Sequence, residues 1–562
     1  MDASQLSAGA WKIARFAAQC AAVAGIALTT GRRQSDGGSV GHREPTWNGD
    51  RLRRLVADLL QTQQIIVVSN REPVIHQQVA GRIVVQRPAS GLVTALEPVV
   101  RTCGGVWVAH GSGSADREVV DRLDRLRVDD KDGSYVLRRV WLTPEQERGY
   151  YYGFANQALW PLCHRAHAQP IFRRDHWAEY VRVNRRFAEA VVDESASDDP
   201  IVLVQDYHFA LVPRLLRQRL PRATIIAFWH IPWPNAERFA ICPYQRELLE
   251  GLLGSTIVGC QTVEHCSNFL QSVARGLEAR IDRDDRAVEF DRQTTLARPY
   301  PISIEWPNPW ADSARPVDVC RETVRRTLGV PSHAKLVVSV DRMDYTKGIE
   351  ERLLAFERLL EGWPQSGAPL VFLQVAAPSR TEIQRYSEFA ERVDRLVDAV
   401  NARFSTLGYT PVVLLHRHCG PQEVFEYYRS ADVCYISSLH DGMNLVAKEF
   451  VAARDDVRGV LVLSRFAGAA RELTEALIVN PYDIDGAAEA LQRALSMPLA
   501  EQQERMHALR AVVETANVFT WAGAMLTDAA LSHERQARLT RLNADSHVVA
   551  GDGSGDRVAN RL

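Results

Sequence analysis

The chain has 562 residues, 46% of them hydrophobic and 24% charged, with a formal net charge of -2. That length divides into two or more cores, and the near-neutral balance leaves no electrostatic footprint for nucleic acid or an anionic membrane. Nine dispersed cysteines, with no CxxC pair and no Cys/His cluster, fit a reduced cytoplasmic compartment in which most of them pack as small apolar side chains.

The first apolar run, Phe16 to Thr30, follows Lys12 and Arg15 and is interrupted by Gln19. It is too short and too Ala-rich to span a bilayer. Residues 1–60 are read as a poorly ordered extension ending in a Gly-rich linker, rather than as a secretory signal. From there short apolar runs alternate with helical patterns. QQIIVVSN, GGVWVAH, PIVLVQDYH, ATIIAFWH and STIVGCQT predict buried strands, with FALVPRLLRQRL, PYQRELLEGLLG and VEHCSNFLQSVARGL as helices around them. The rhythm repeats with KLVVSVDRMD, APLVFLQVAAPS, PVVLLHRH, DVCYISSL, GVLVLSRF and EALIVNP. Such βαβ alternation predicts two doubly wound, Rossmann-like α/β domains facing a cleft. One spans 61–305 and the other 306–530, with a hinge at Trp306 to Pro316 and a disordered tail at 531–562.

Ligands of open α/β sheets bind beyond the carboxyl ends of the strands, so those positions carry the chemistry. In the second half they are Arg342, Lys347 and Arg380, followed by Asp441, Gly442, Met443, Asn444 and Leu445 at a helix start. Three cations beside a glycine-entered helix N-terminus predict a diphosphate site. Glu449, within two turns, suits a ribose diol. The first half offers Arg71, Gly91 before a helix, Asp206 after one strand and His230 after another. GYYYGFANQALWPLCH, holding Tyr151 and Trp160, reads as an aromatic loop suited to a sugar. Lysines are rare: Lys12, Lys131, Lys335, Lys347 and Lys448 are the only ones among 67 Lys plus Arg. A compact ammonium suits a crowded phosphate and a planar guanidinium suits bidentate capture, which gives Lys347 a reason to persist. Lys448 is expected on a solvated face, where exchange for arginine would be silent.

Taken together, VVSNREP, ASGLVTALEP, YYGFANQALWPL, DYHFALVPRLLR, HIPWPNAERF, DRMDYTKGIEERLLAFE, DGMNLVAKEFVAAR and SRFAGAARELTEALIVNPYDID resemble the trehalose-6-phosphate synthase family, in the same order, from about Ile65 to Leu526. The resemblance implies a GT-B fold and a retaining glucosyl transfer from a nucleotide sugar, usually UDP-glucose, to glucose 6-phosphate. It implies small-molecule substrates, no metal and no resident cofactor, and it leaves homo-oligomerisation open. By motif, Arg342 and Lys347 resemble the diphosphate clamps, Gly91 the backbone contact from the facing domain, Asp441 to Leu445 the cradle for glucose and phosphate, and Glu449 the ribose ligand. Asp206 and His230 resemble contacts at the reacting sugar and acceptor, and Arg71, Tyr151, Trp160 and Arg380 the acceptor pocket. Departures from the family pattern are His110, Ser303 and His440, of which His110 and His440 bear on donor-base or acceptor preference. Another phosphorylated acceptor, as in glucosylglycerol-phosphate synthase, and a non-catalytic binding member both stay open. No GxGxxG follows the first strand of either half, which argues against a dinucleotide oxidoreductase.

Overall fold

The computed structural model describes residues 46–551, except 61–62, 88–90, 131–132, 365–366 and 407–408. The N-terminal domain is built on a ten-stranded sheet. At its centre Ile65–Ser69 pairs in parallel with Val106–His110 on one side and Ile201–Gln205 on the other. Thr224–Trp229, Ile257–Cys260 and Gln293–Pro299 continue the parallel run outward. Each of the central strands is buried along its whole length. Helices cover both faces, which is why these strands read as unbroken apolar runs. The edges are antiparallel: Arg125–Asp130 against Gly133–Val140, and Arg280–Asp282 with Ala287–Phe290. Their charged, part-exposed sequences hid them from the apolar pattern.

The C-terminal domain has six strands, all parallel, and each falls within one of the six predicted runs. Lys335–Arg342 lies between Leu370–Ala377 and Val433–Ile436. Counted within the domain, the order is 3-2-1-4-5-6, the doubly wound arrangement. Both sheets therefore have a switch point where neighbouring strands diverge, one beyond Ser69 and Gln205, the other beyond Arg342 and Ile436.

The chain crosses between domains twice. The outward crossing runs from Tyr300 to Asn308, and the helix Pro309–Ser313 already packs on the C-terminal domain. The return crossing is held to the first, since Val518 donates its N–H to the Ile304 carbonyl at 2.9 Å. The helix Val518–Gly551 then lies back on the N-terminal domain, where Trp521 meets Phe228 edge-on and Tyr300 donates to Asp528. This changes two expectations. Residues 531–551 are helical, because the helix anchored by these contacts continues past them. Residues 46–60, expected to be loose, form the helical segments Gly49–Leu55 and Val56–Leu60. Trp47 is buried against Gly523 there, and its carbonyl accepts from Asn517. Residues 1–45 and 552–562 lie outside the described residues. Among those described, no helix is long and apolar enough to cross a membrane.

Candidate active site

The two switch points face one another across a cleft of about 380 Å³, a size that suits small-molecule substrates. Of the residues that the sequence assigned to substrate binding or catalysis, all but Gly442 line it. Gly442 sits behind the wall, and a Cβ there would stand 2.0 Å from the His230 carbonyl oxygen of the facing domain. Its service is close approach of two backbones. Three non-glycine residues at the cleft hold a left-handed φ: Asp206 at 76°, Arg380 at 50° and Asn444 at 86°. Strain of this kind persists where surrounding structure over-determines it, and it concentrates at functional sites.

In the C-terminal half, Arg342 ends its strand and Asp344 caps the turn Tyr345–Lys347 through the Thr346 N–H. Lys347 Nζ reaches Asp441 Oδ2 at 2.5 Å. Burial would push the Asp441 carboxyl up, but Lys347 and the Asn444 amide outweigh it and hold the carboxyl below its ordinary range. Asn444 caps the helix Leu445–Ala453, accepting from the Ala447 N–H. The helix begins two residues later than the sequence suggested, so the turn at Met443 and Asn444 approaches the cleft with non-helical backbone. Glu449 sits one turn deeper, its Oε2 accepting from the Tyr428 hydroxyl at 3.2 Å. Burial pushes its carboxyl up to about 7 against that hydrogen bond.

The other half supplies the second set. Arg380 belongs to the C-terminal domain by sequence, but its guanidinium projects across. It pairs with Asp344 at 3.1 Å, takes the Tyr207 hydroxyl at 3.3 Å, and lies 4.0 Å over the Trp160 ring. Arg342 approaches the same ring at 5.3 Å. Arg380 Nε, Trp160 Nε1 and His208 Nε2 are buried without protein partners. Buried polar groups are ordinarily satisfied, and three exceptions belong to residues that line this cleft. Burial would raise the Tyr151 phenol, but Arg71, Arg380 and Arg342 outweigh it and bring it down to about 8. Asp206 accepts from the His230 N–H, and burial pushes its carboxyl up to about 7. His230 is held neutral, with burial lowering it to about 3.

Chain-wide comparison is in keeping with this geometry. The model of glycosyltransferase family 20 matches residues 63–530. The chain belongs to that family. A relative called trehalose-6-phosphate synthase from Mycobacterium avium is 38% identical over 480 residues, covering 84% of this chain and 96% of its own. The E. coli protein bound with UDP-2-fluoro glucose superposes with a TM-score of 0.73 at 33% identity, over 83% of this chain and 99% of that one. An alpha,alpha-trehalose-phosphate synthase (UDP-forming) from Burkholderia xenovorans, in complex with glucose-6-phosphate, gives the same figures. The fold is thus that of the GT-B trehalose-phosphate synthases.

Within this family 20 chain, some expectations need correction. The stretch Arg148–Leu159, expected as a loop, winds as a wide π-helix that carries Tyr151 toward the cleft. Asn156 donates to the Tyr151 carbonyl at 2.8 Å and accepts from the Tyr207 hydroxyl, holding the widened turns. π-turns recur at functional sites for this reason: they re-aim side chains without breaking the helix. Lys448, expected on a solvated face, is buried. Its ammonium pairs with Glu472 at 2.8 Å and donates to the Ile302 carbonyl at 3.0 Å. The helix Leu445–Ala453 is packed nearly all round, so it has no solvated face at that position. His110, Ser303 and His440 are buried outside the cleft wall. His440 accepts from the Arg165 N–H and is held neutral by burial. Residues the sequence reading passed over include Asp344, which unites Arg342 and Arg380, and Gln261, which lines the floor beside His230. Asp344 stands inside DRMDYTKG, and a carboxylate between two predicted clamps was its signal. Gln261 gave none.

Proposed function

We propose that the protein transfers glucose from UDP-glucose to glucose 6-phosphate with retention at the anomeric carbon, giving trehalose 6-phosphate and UDP. The observation that carries this is one cleft with cationic groups along its length, Lys347 at one end and Arg71 at the other, with Arg342 and Arg380 meeting at Asp344 between them. Cations spread along one cleft fit two phosphorylated substrates. A hydrolase would need two free carboxylates flanking one bond. Here Asp441 is bound to Lys347 and Asp206 to the His230 N–H.

The site's own residues then divide the work. Glu449 accepts from the ribose hydroxyls. Lys347, Arg342 and the open turn at Met443 to Leu445 stabilise the charge that grows on the diphosphate as the bond from C1 to its oxygen breaks. Arg71 and Arg380 seat the acceptor's phosphate so that its hydroxyl approaches the face the diphosphate leaves. That hydroxyl's proton passes to the departing phosphate oxygen while the new C1–O bond forms on the same face. The clamps supply the positive charge that a divalent ion would otherwise bring, so the reaction proceeds without a resident metal or cofactor. Among the described residues the cysteines are free thiols, all but Cys103 buried, which is consistent with work in a reducing cytoplasm.

Incubation with UDP-, GDP- or ADP-glucose and glucose 6-phosphate, followed by mass and NMR analysis, tests the reading. A phosphorylated disaccharide with both anomeric linkages α, formed fastest with UDP-glucose, is expected. Product only with a different phosphorylated acceptor, such as glycerol 3-phosphate, or no product from any donor, overturns it.

A further inference from the structure

Lys448 is a costly residue. A buried ammonium needs partners that compensate its lost hydration, and this one is 1% exposed. Its two partners lie in different parts of the molecule. Glu472 belongs to the C-terminal domain, just after the turn Gly468–Arg471. The other partner is the carbonyl of Ile302, in the crossing between the domains. On its opposite side the Ile302 peptide carries the contact onward: its N–H donates to Gln261 Oε1 at 2.9 Å. The Gln261 amide in turn faces His230, with Nε2 at 3.4 Å from its carbonyl and 3.5 Å from Nδ1. Gln205 Oε1 takes His230 Nε2 at 2.8 Å. A carbonyl oxygen accepts only, so Nε2 carries the proton and Nδ1 presents its lone pair to Gln261.

A continuous line of hydrogen bonds thus runs from the helix Leu445–Ala453, which carries Glu449, through the interdomain crossing to His230 in the facing domain. Gly442, at the entrance to that helix, supports the same His230 carbonyl from the other side, leaving no room for a Cβ. His230 therefore sits between the donor-side turn at Gly442 and Gln261, which the crossing holds through Ile302.

We propose that Lys448 is a positioning residue: it ties the donor-binding helix to the Ile302 peptide, and through Gln261 sets His230 against the reacting sugar. Lysine suits the place because its tetrahedral ammonium can serve a carboxylate and a carbonyl that do not lie in one plane, which the flat guanidinium fork cannot do in the same volume. This accounts for a lysine in an arginine-rich chain. The inference rests on the glucosyl transfer proposed above, and wild-type turnover in the same assay tests that reading separately.

The experiment compares Lys448→Met, Glu472→Gln, the double variant Lys448→Met/Glu472→Leu, Gln261→Leu and Lys448→Met/Gln261→Leu. Lys448→Met strands Glu472 and can unfold the domain; the double variant with Leu removes both charges and restores an apolar interior. Folded double variant should lose kcat by roughly 100-fold, the scale of a sub-ångström to ångström misplacement, with UDP affinity by calorimetry unchanged. Glu472→Gln, which keeps the lysine on Ile302, should lower the melting temperature but retain kcat within about threefold. Lys448→Met/Gln261→Leu should lose no more turnover than the worse single variant, since both cut one line. If the wild type is active and the folded double variant keeps wild-type kcat, or if the Lys448 and Gln261 effects multiply, the lysine is structural only and the proposal fails.

Discussion

Lys347 and Asp441 meet at the C-terminal switch point, Nζ to Oδ2 at 2.5 Å, from turns 94 residues apart in the chain. In this pair each neutralises the other. In the function proposed above, a diphosphate would compete for the ammonium and free Asp441 toward the glucose hydroxyls, so that one contact would couple leaving-group charge to sugar placement. Lys347→Ala should lower kcat by roughly two to three orders of magnitude, the scale for deleting one preorganised donor. Lys347→Arg should rescue poorly, because the longer planar fork cannot hold Asp441 and a phosphate oxygen in the same geometry. Steady-state kinetics of the two variants decide it; wild-type turnover in Lys347→Arg would sink the geometric argument.

In its proposed role at the ribose diol, Glu449 should impose a pH dependence on donor binding. Burial raises its carboxyl to about 7, yet the ionised form is the better acceptor for two ribose hydroxyls. Below that value binding must first remove a proton, so UDP affinity should fall by up to about tenfold for each further pH unit. Calorimetry of UDP from pH 5.5 to 8.5, referenced to Glu449→Gln, isolates the effect from titration of the phosphate itself. Parallel curves for the two proteins would assign the dependence elsewhere.

The parts of this molecule that sequence made legible share one physical cause. Central strands are buried on both faces, so Ile65–Ser69 and Lys335–Arg342 are unmistakable apolar runs, and the residues that follow them are placed by topology. Arg342, Lys347, Asp206 and His230 were legible for that reason. Edge strands such as Arg125–Asp130 were not, because half-exposed charged sequence carries little periodic signal. The aromatic stretch at Tyr151 was misread as a loop since a π-helix has no familiar spacing. Lys448 was misplaced because an ammonium's burial depends on Glu472 and Ile302, neither of them near it in sequence.

At Gly442 the backbones of the two domains approach closely. Gly442→Ala would place a methyl 2.0 Å from the His230 carbonyl oxygen, and both atoms belong to rigid backbone. The domains must then separate, since interior packing leaves no slack. Turnover should fall by roughly 100-fold, while each domain keeps its own core and circular dichroism stays unchanged. Small-angle scattering should show a larger radius of gyration for the variant with UDP and glucose 6-phosphate present. A scattering profile and kcat both equal to wild type would mean that the cleft works without this approach.

Beneath Arg71 lies a knot of charge that should make stability decline as pH rises toward about 8. Arg139 is fully buried and holds two carboxylates, Glu72 through Nε and Asp116 through Nη2, each at 2.8 Å. It also donates to the Val74 and Asp116 carbonyls. One guanidinium cannot neutralise two carboxylates. Burial, with Asp116 beside it, pushes Glu72 up to about 8, so near neutrality Glu72 keeps a proton and the knot carries no net charge. The sign follows from linkage. Between the ordinary value of 4.5 and about 8 the folded chain binds a proton that the unfolded chain has released, so stability is full below that window and declines as pH rises through it. Glu72→Gln, neutral at every pH, removes this component: melting temperature measured from pH 5 to 9 should fall more steeply for the wild type than for the variant, with the difference levelling off above about pH 8. Arg139→Met leaves two uncompensated carboxyl groups and should cost about 3–5 kcal/mol, a drop on the order of 10 °C. It should also weaken glucose 6-phosphate binding, because Arg71 is anchored by the residue next to it. Identical pH slopes for wild type and Glu72→Gln would show that Glu72 is ionised throughout and that Arg139 alone holds the knot.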